Sequence, residues 1–375
     1  MVKRQSKQNE ISAKAMRIAD IRATTHAVPI DKKGRQKGFF EFVFCEVESD
    51  QGIVGISATG NFLVHAVVSA LRQHLLPLVK GMDVCELEAV HQRVWWQLNP
   101  RAMTGVISSA LSCLDIALWD IQGKACQRSV ASLLGGARNR VPVYVTFGFD
   151  RYGEDELVEL ARKEVRQGFK ALKLVVARRP GGWREDAARI RAVRDAVGDE
   201  IDIIIDANYM FDPVNAKLLC RAVEDCNVLW FEEPLHQNDA RAMADLRQAT
   251  RTPIAAGQME GHRWRLRELV EAQAVDILQP NVCYCGGFTE ARKAAHLAQI
   301  YNLPIANGGG WPAFNVHLLA GMMNGWFAEW HLGQADHVFT GFPSPQDGSI
   351  VIPDRAGLGL SVDRDVLRSS QISAQ

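Results

Sequence analysis

IDIIIDAN, Ile201–Asn208, sets a short run of isoleucines against an aspartate and then breaks. A strand buried on both faces reads as such a run, because neither face is left for polar side chains. Two later stretches end in the same manner: VLWFE closes on Glu232, and PIAAG is followed by Gln258. Asp206, Glu232 and Gln258 are each 26 residues after the last, the length of one strand-plus-helix unit. Working outward, VPVYVTF, ALKLVV, VDILQ, LPIAN and WFAEW bring the apolar runs to eight, separated by amphipathic stretches such as EDELVELARKEV and EDAARIRAVRDAV. Eight such units predict a parallel α/β barrel over residues 137–345 rather than an open sheet.

Upstream the pattern differs. IADIRATTHAVPI, FFEFVFCEVES and GIVGISATG are broken by DKKGRQKG and DQG and read as an antiparallel meander. ISSALSCLDIALWDIQGKA then places Ala110, Leu114, Ala117, Leu118 and Ile121 on one helical face, and LLGG at 133–136 ends the region. Residues 16–136 form an α+β unit, 1–15 a frayed tail, and 346–375 a segment expected to fold back on that unit. The chain of 375 residues carries 43 basic and 43 acidic side chains, so its charge suggests no nucleic acid or anionic membrane as partner. No apolar run approaches the roughly 20 residues of a membrane span, and the opening residues lack the core of a signal peptide. The eight cysteines are scattered without a CxxC pair, as expected of reduced thiols in a cytoplasmic protein; Cys283 and Cys285 alone make a weak zinc signal.

In a parallel barrel the carboxyl ends of the strands converge on one mouth. Two carboxylates and an amide oxygen there are hard donors that suit Mg²⁺. Single acids at these places often only cap the next helix, but the equal spacing of three favours a metal set. Glu260 is the alternative third ligand if the loop bulges.

The chain resembles the mandelate racemase and muconate lactonising group of the enolase superfamily over about residues 16–363. The resemblance rests on ALWDIQGKA with LLGG, GFKALKL, DANYMF, FEEPL, GQMEGHRW, DILQPN and DRAGLGL, in that order. It implies a modified (β/α)7β TIM-type barrel under an α+β N-terminal capping domain. It also implies Mg²⁺ held by Asp206, Glu232 and Gln258, removal of a proton α to a substrate carboxylate, and a homo-oligomer. Asn208 falls where this family often contacts substrate; His26, Lys32, Lys33, Arg35 and Lys37, in a loop that the resemblance brings over the mouth, could hold the far end of a substrate or be only a solvated charge run. Asn307 and Trp311 lie at the mouth.

The same resemblance exposes departures. The position of the usual lysine base is Val175, and the usual histidine–aspartate pair is replaced by Asn307 and Asn281. Lys173 becomes the leading base, needing a lowered pKa, or else a strand lysine paired with Asp206 or Glu233. His262 could act as acid or base, or simply begin a helix. Glu329 falls where the family places an acid, or is a buried ion-pair partner; His317 reads as a packed histidine. Dehydration needs fewer proton carriers than racemisation, so the expected function is a Mg²⁺-dependent hydro-lyase acting on an acid sugar. A racemase or epimerase, or a metal-retaining binding protein without turnover, are the alternatives.

Overall fold

The computed structural model describes residues 15–30, 38–98, 101, 103–331 and 338–372. Strands β1 (Ile18–Ile30), β2 (Gly38–Ser49) and β3 (Val54–Gly60) make the antiparallel meander read from the sequence. The 20-residue helix Val106–Ala125 covers it, with Leu111, Leu114, Leu118 and Ile121 buried. Close approach explains one glycine: a Cβ on Gly55 would lie 2.0 Å from the carbonyl oxygen of Ala117, so only glycine lets strand and helix meet.

Strands β4 (Arg140–Gly148), β5 (Ala171–Val175), β6 (Asp202–Asp206), β7 (Val228–Glu232), β8 (Ile254–Ala256), β9 (Ile277–Leu278) and β10 (Ala328–His331) form one sheet, β10-β4-β5-β6-β7-β8-β9, with all neighbours parallel. The run LPIAN forms isolated bridges rather than a strand. Ile305 pairs with Leu278 on one side and Gly325 on the other. Pro304 leaves it no spare N–H to lengthen the ladder, yet the Ala306 N–H bonds Leu278 and the Trp326 N–H bonds Ile305, which closes the ring. The protein therefore has a TIM-type barrel with an N-terminal antiparallel domain.

Alternation along the strands builds the interior in layers. Tyr144, Ala171, Ile204, Trp230, Ala255, Ile277, Ala306 and Phe327, one from each apolar run, form a separate buried cluster that plugs the barrel. Two residues further along, the same inward positions carry Thr146, Lys173, Asp206, Glu232, Gln279 and Glu329. The apolar layer is thus the base on which a polar layer stands.

After the barrel, β12 (Ser349–Val351) pairs antiparallel with β4; β11 (Phe339–Thr340) pairs with β13 (Ser361–Val362). The chain then returns to the N-terminal domain: the Val130 N–H bonds Gly357, and the Ile372 N–H bonds Thr25 beside a His26–Gln371 bridge. Among the described residues no helix is long and apolar enough to cross a membrane.

Candidate active site

The polar layer opens into a cavity of about 750 Å³. At its floor the Lys173 Nζ lies 2.5 Å from Glu232 Oε1, 3.0 Å from Glu329 Oε1 and 3.1 Å from Asp206 Oδ2. Strand register enforces this meeting, since Val175 pairs with Asp206 and Asp206 with Glu232. The acids are fixed from behind. Glu232 Oε2 accepts from Gln279 Nε2 at 2.8 Å and Trp230 Nε1 at 3.1 Å. Glu329 accepts from Thr146 Oγ1 at 2.5 Å and from the Gly310 N–H at 2.6 Å, and Asp206 Oδ1 accepts from the Asn208 N–H at 2.8 Å.

Three buried carboxylates around one ammonium leave an excess of negative charge, which is costly in a low-dielectric interior. The proton affinities follow from it. Burial raises the pKa of Glu232, and repulsion from Asp206 and Glu329 adds to this against the pull of Lys173, leaving it at about 7. Burial works against the charge of Glu329 too, but Lys173, His331 and Thr146 outweigh it and hold that carboxyl below its ordinary range. Burial also opposes the charge on Lys173. The attraction of Glu232, Glu329 and Asp206 wins, and its pKa stands well above the usual lysine value. The acids around Lys173 thus favour its ammonium, the ion-paired alternative to the base role that the sequence also allowed.

The donor chemistry suits a cation at the same floor. A Cβ placed on Gly308 would lie 2.8 Å from Gln258 Oε1 and 2.9 Å from Glu232 Oε1, so these two oxygens converge on one spot over a backbone with no side chain. Among the described residues no three His, Cys, Asp or Glu side chains form a metal-binding group, so a divalent site here has to count the Gln258 amide. The alternative Glu260 points elsewhere. Its carboxylate accepts from Asn238 Nδ2 at 3.0 Å and Arg265 Nε at 3.1 Å, while Gln258 lines the cavity.

Of the other residues singled out in the sequence, the cavity gathers Asn208, Lys173 and Glu329. It does not gather His262, His26, Asn307 or Trp311. The backbone turns left-handed at His262, φ 64°, where the helix His262–Glu271 begins. Its ring is thereby sent outside the mouth, against Trp95 at 5.4 Å and Glu290 at 3.3 Å; burial lowers its pKa to about 4. This second cavity, about 390 Å³, is lined by His91, Trp95, Trp96, Arg263 and Lys293. His26 is packed inside the N-terminal domain, 2.7 Å from Thr24 Oγ1, 3.2 Å from Ser370 Oγ and stacked on Phe42.

The Asn307 amide is consumed by the glycine loop: Nδ2 donates to Gly308 and Gly310 carbonyls, and Oδ1 accepts from the Glu329 N–H. Asn281 ties down the same loop through Gly308, the Cys283 N–H and Asn315. Trp311 lies behind the wall and donates through Nε1 to Tyr284 Oη at 3.1 Å, so Tyr284 rather than Trp311 reaches the cavity. The capping-loop cations Lys32, Lys33, Arg35 and Lys37 lie outside the described residues.

Among the lining residues that the sequence reading did not place at the site are Arg178, Tyr209 and His331. Arg178 Nη2 donates to Asn208 Oδ1 at 2.9 Å. His331 had a usable signal, since it stands two residues past Glu329 on one strand and shares its face. Arg178 and Tyr209 follow strand ends, where the period of two stops carrying information.

Comparison with known proteins agrees with this architecture. Residues 13–135 match the N-terminal domain of mandelate racemase and muconate lactonizing enzyme, and residues 156–366 match the enolase C-terminal domain-like family. Arabinonate dehydratase of Saccharolobus solfataricus is 29% identical over 345 residues, covering 88% of this chain and 90% of that protein. D-galactarolactone cycloisomerase of Agrobacterium fabrum is 32% identical, covering 87% and 90%. The crystal structure of L-talarate dehydratase from Polaromonas sp. JS666, complexed with Mg and L-glucarate, superposes with a TM-score of 0.87 at 28% identity over 96% of this chain and 98% of that one. On sequence, fold and strand-end chemistry together, the chain belongs to the mandelate racemase and muconate lactonizing enzyme family of the enolase superfamily.

Proposed function

We propose that this protein is a Mg²⁺-dependent hydro-lyase that removes the α-proton of an acid-sugar carboxylate and expels the β-hydroxyl as water. The observation that carries this reading is the strand-end floor, where Lys173 draws Asp206, Glu232 and Glu329 together and the Glu232 and Gln258 oxygens meet over Gly308, so that acids outnumber the one buried cation. The dehydratases among its relatives support the substrate class.

Asp206, Glu232 and Gln258 would hold the ion. Bound there, it supplies Lewis-acid stabilisation of the negative charge that develops on a substrate carboxylate as the α-proton leaves. The chain's own groups do the rest. The Lys173 ammonium adds a fixed positive charge at the floor, one that needs no reorganisation as charge builds. Gln279 and Trp230 hold Glu232, which keeps its carboxylate from rotating out of position. Asn208 and Arg178 present an amide and a guanidinium to the hydroxyls of a sugar acid, while Val175, Phe147 and Met259 keep water from part of the wall. We place the protein in the cytoplasm, where the eight free cysteines would stay reduced.

Racemisation fits the site less well. It needs a proton carrier on each face of the α-carbon, and the side where the family keeps its histidine–aspartate pair holds Asn307 and Asn281, both committed to the backbone. Incubation with Mg²⁺ and a panel of mono- and diacid sugars, followed by 2-keto-acid detection, tests the proposal. Product from at least one sugar acid is expected. Deuterium wash-in at the α-carbon without product would indicate an epimerase instead. Ligand-dependent thermal stabilisation with neither signal would indicate a binding protein.

A further inference from the structure

On the hydro-lyase reading, the proton acceptor has to come from among the residues that line the cavity. Val175, Asn281 and Asn307 do not titrate. Lys173 spends its ammonium on three carboxylates, and both oxygens of Glu329 already accept hydrogen bonds. His26 and His262 lie outside the cavity, and His317 is buried against the Leu358 carbonyl at 3.1 Å. Tyr209 and Tyr284 have pKa values raised above that of free phenol by burial first, which makes them poor bases at neutral pH. Among the described residues lining the cavity, the one imidazole is that of His331.

We propose that His331 carries the proton in this reaction, taking it from the α-carbon and delivering it to the departing β-hydroxyl.

The placement rests on strand geometry. His331 ends β10 and pairs in register with Thr146 of β4, which pairs in turn with Lys173 of β5. The three residues form a row across neighbouring strands, and all three line the cavity. His331 also stands to Glu329 as Val175 stands to Lys173, two residues nearer the mouth on an inward-facing strand position. The ring is set against Phe149, with centroids 5.7 Å apart and planes at 62°, which favours one orientation over free rotation. The Glu329 carboxylate, two residues back on the strand, is an anion placed to stabilise the imidazolium that a proton transfer creates.

Written as bonds, a ring nitrogen of His331 forms an N–H bond with the α-proton, and the C–H pair is delocalised into the substrate carboxylate. That pair returns to form the α–β double bond as the β-carbon–oxygen bond breaks. The leaving oxygen takes the same proton from His331 and departs as water, which regenerates the neutral imidazole. The enol that remains tautomerises to the 2-keto acid. One group thus serves both steps on one face, and no oxidant or second acid is required.

The holoenzyme with Mg²⁺ tests this by two readouts. His331→Asn is expected to lower kcat by ~10²–10⁴-fold with KM changed by at most a few-fold, the range for loss of a general base. It should also abolish the limb of the wild-type pH–kcat profile that falls in the imidazole range, and added imidazole should restore part of the rate. His262→Asn is expected to keep the profile. Activity of His331→Asn within about threefold of wild type would overturn the proposal. The second readout needs no substrate. In histidine-ring NMR, the resonance absent from His331→Asn should shift when oxalate, a planar mimic of the deprotonated carboxylate, is added with Mg²⁺; an unmoved resonance overturns the placement of His331 whatever the substrate. If that resonance shifts while wild type turns over no sugar acid, the hydro-lyase reading fails and the placement of His331 beside a bound carboxylate stands.

Discussion

Two buried ionic clusters in this protein differ in how their charges balance. At the barrel floor Asp206, Glu232 and Glu329 share the single ammonium of Lys173, and Asp206 and Glu329 face a large cavity. At the junction of the N-terminal domain with the barrel, Glu290 is met by His262 at 3.3 Å, Arg263 at 2.5 Å and Lys293 at 3.0 Å, while His91 bonds Asp115 at 2.8 Å. Cations there are as plentiful as acids. Burial opposes the charge on Glu290, but its cationic neighbours hold its pKa below the usual carboxylate range. The balanced cluster satisfies itself and ties helices Leu87–Leu98, His262–Glu271 and Gly287–Ile300 together. The unbalanced one is incomplete without something more, and incompleteness of charge in a cavity marks a functional site better than burial alone.

The contrast can be broken most severely at Lys173. Lys173→Met leaves three carboxylates buried with no cation, and should cost ~3–5 kcal/mol of stability, read by denaturant unfolding, together with essentially all turnover. If Mg²⁺ binds as proposed, it should recover more of that loss in the variant than it adds to wild type. Gln279→Leu acts on the same floor more gently. It removes the 2.8 Å donor to Glu232 and is expected to weaken Mg²⁺ binding or activity by ~10–100-fold while leaving the fold intact.

At the balanced cluster the expected signature is reversed. Glu290→Gln should cost about 1–2 kcal/mol of stability, because it removes a buried acceptor from Arg263 and Lys293, which are themselves partly open to water, yet change kcat by less than its effect on Tm would suggest. A large loss of kcat without destabilisation would show that this cluster, too, belongs to the catalytic machinery.

The smallest effect expected is one of pH. His26, His262 and His317 are each lowered to about 4, chiefly by burial, against an unfolded value of about 6.5. Between those values the unfolded chain binds more protons than the folded one, so stability rises with pH there and is progressively lost as pH falls from about 6.5 towards 4. Replacing His317 with Gln should shallow that slope of Tm against pH. An unchanged slope would mean that the ring is not held neutral.

Much of this was legible in the sequence, for physical reasons that also explain what was not. The 26-residue spacing put Asp206 and Glu232 at the ends of neighbouring strands and Gln258 two residues past the end of the next, because each strand-plus-helix unit spans about the same length of chain. The alternation of side chains along a strand put Glu329 at the floor. Beyond the strand ends the period is lost. Left-handed backbone at Asn208, Tyr209, His262 and Trp311, with φ between 46° and 67°, redirects the chain where it leaves the barrel, so proximity in sequence to a strand end sent His262 and Trp311 to the wrong side. His26 was misplaced for another reason: position in a meander strand does not reveal which face packs against Ser370, 344 residues later. The sequence offered Asp206 as an ion-pair partner of Lys173 and a paired role for Glu329, but named Glu233 where Glu232 makes the contact and did not show that three acids meet on one ammonium.

The central claim is that the floor takes a divalent cation through Asp206, Glu232 and Gln258. Calorimetric titration of Mg²⁺ into wild type and into Asp206→Asn tests it most directly. One ion bound per chain in wild type, with affinity lost in the variant, is the predicted result. No binding by wild type, or equal binding by both proteins, would contradict it.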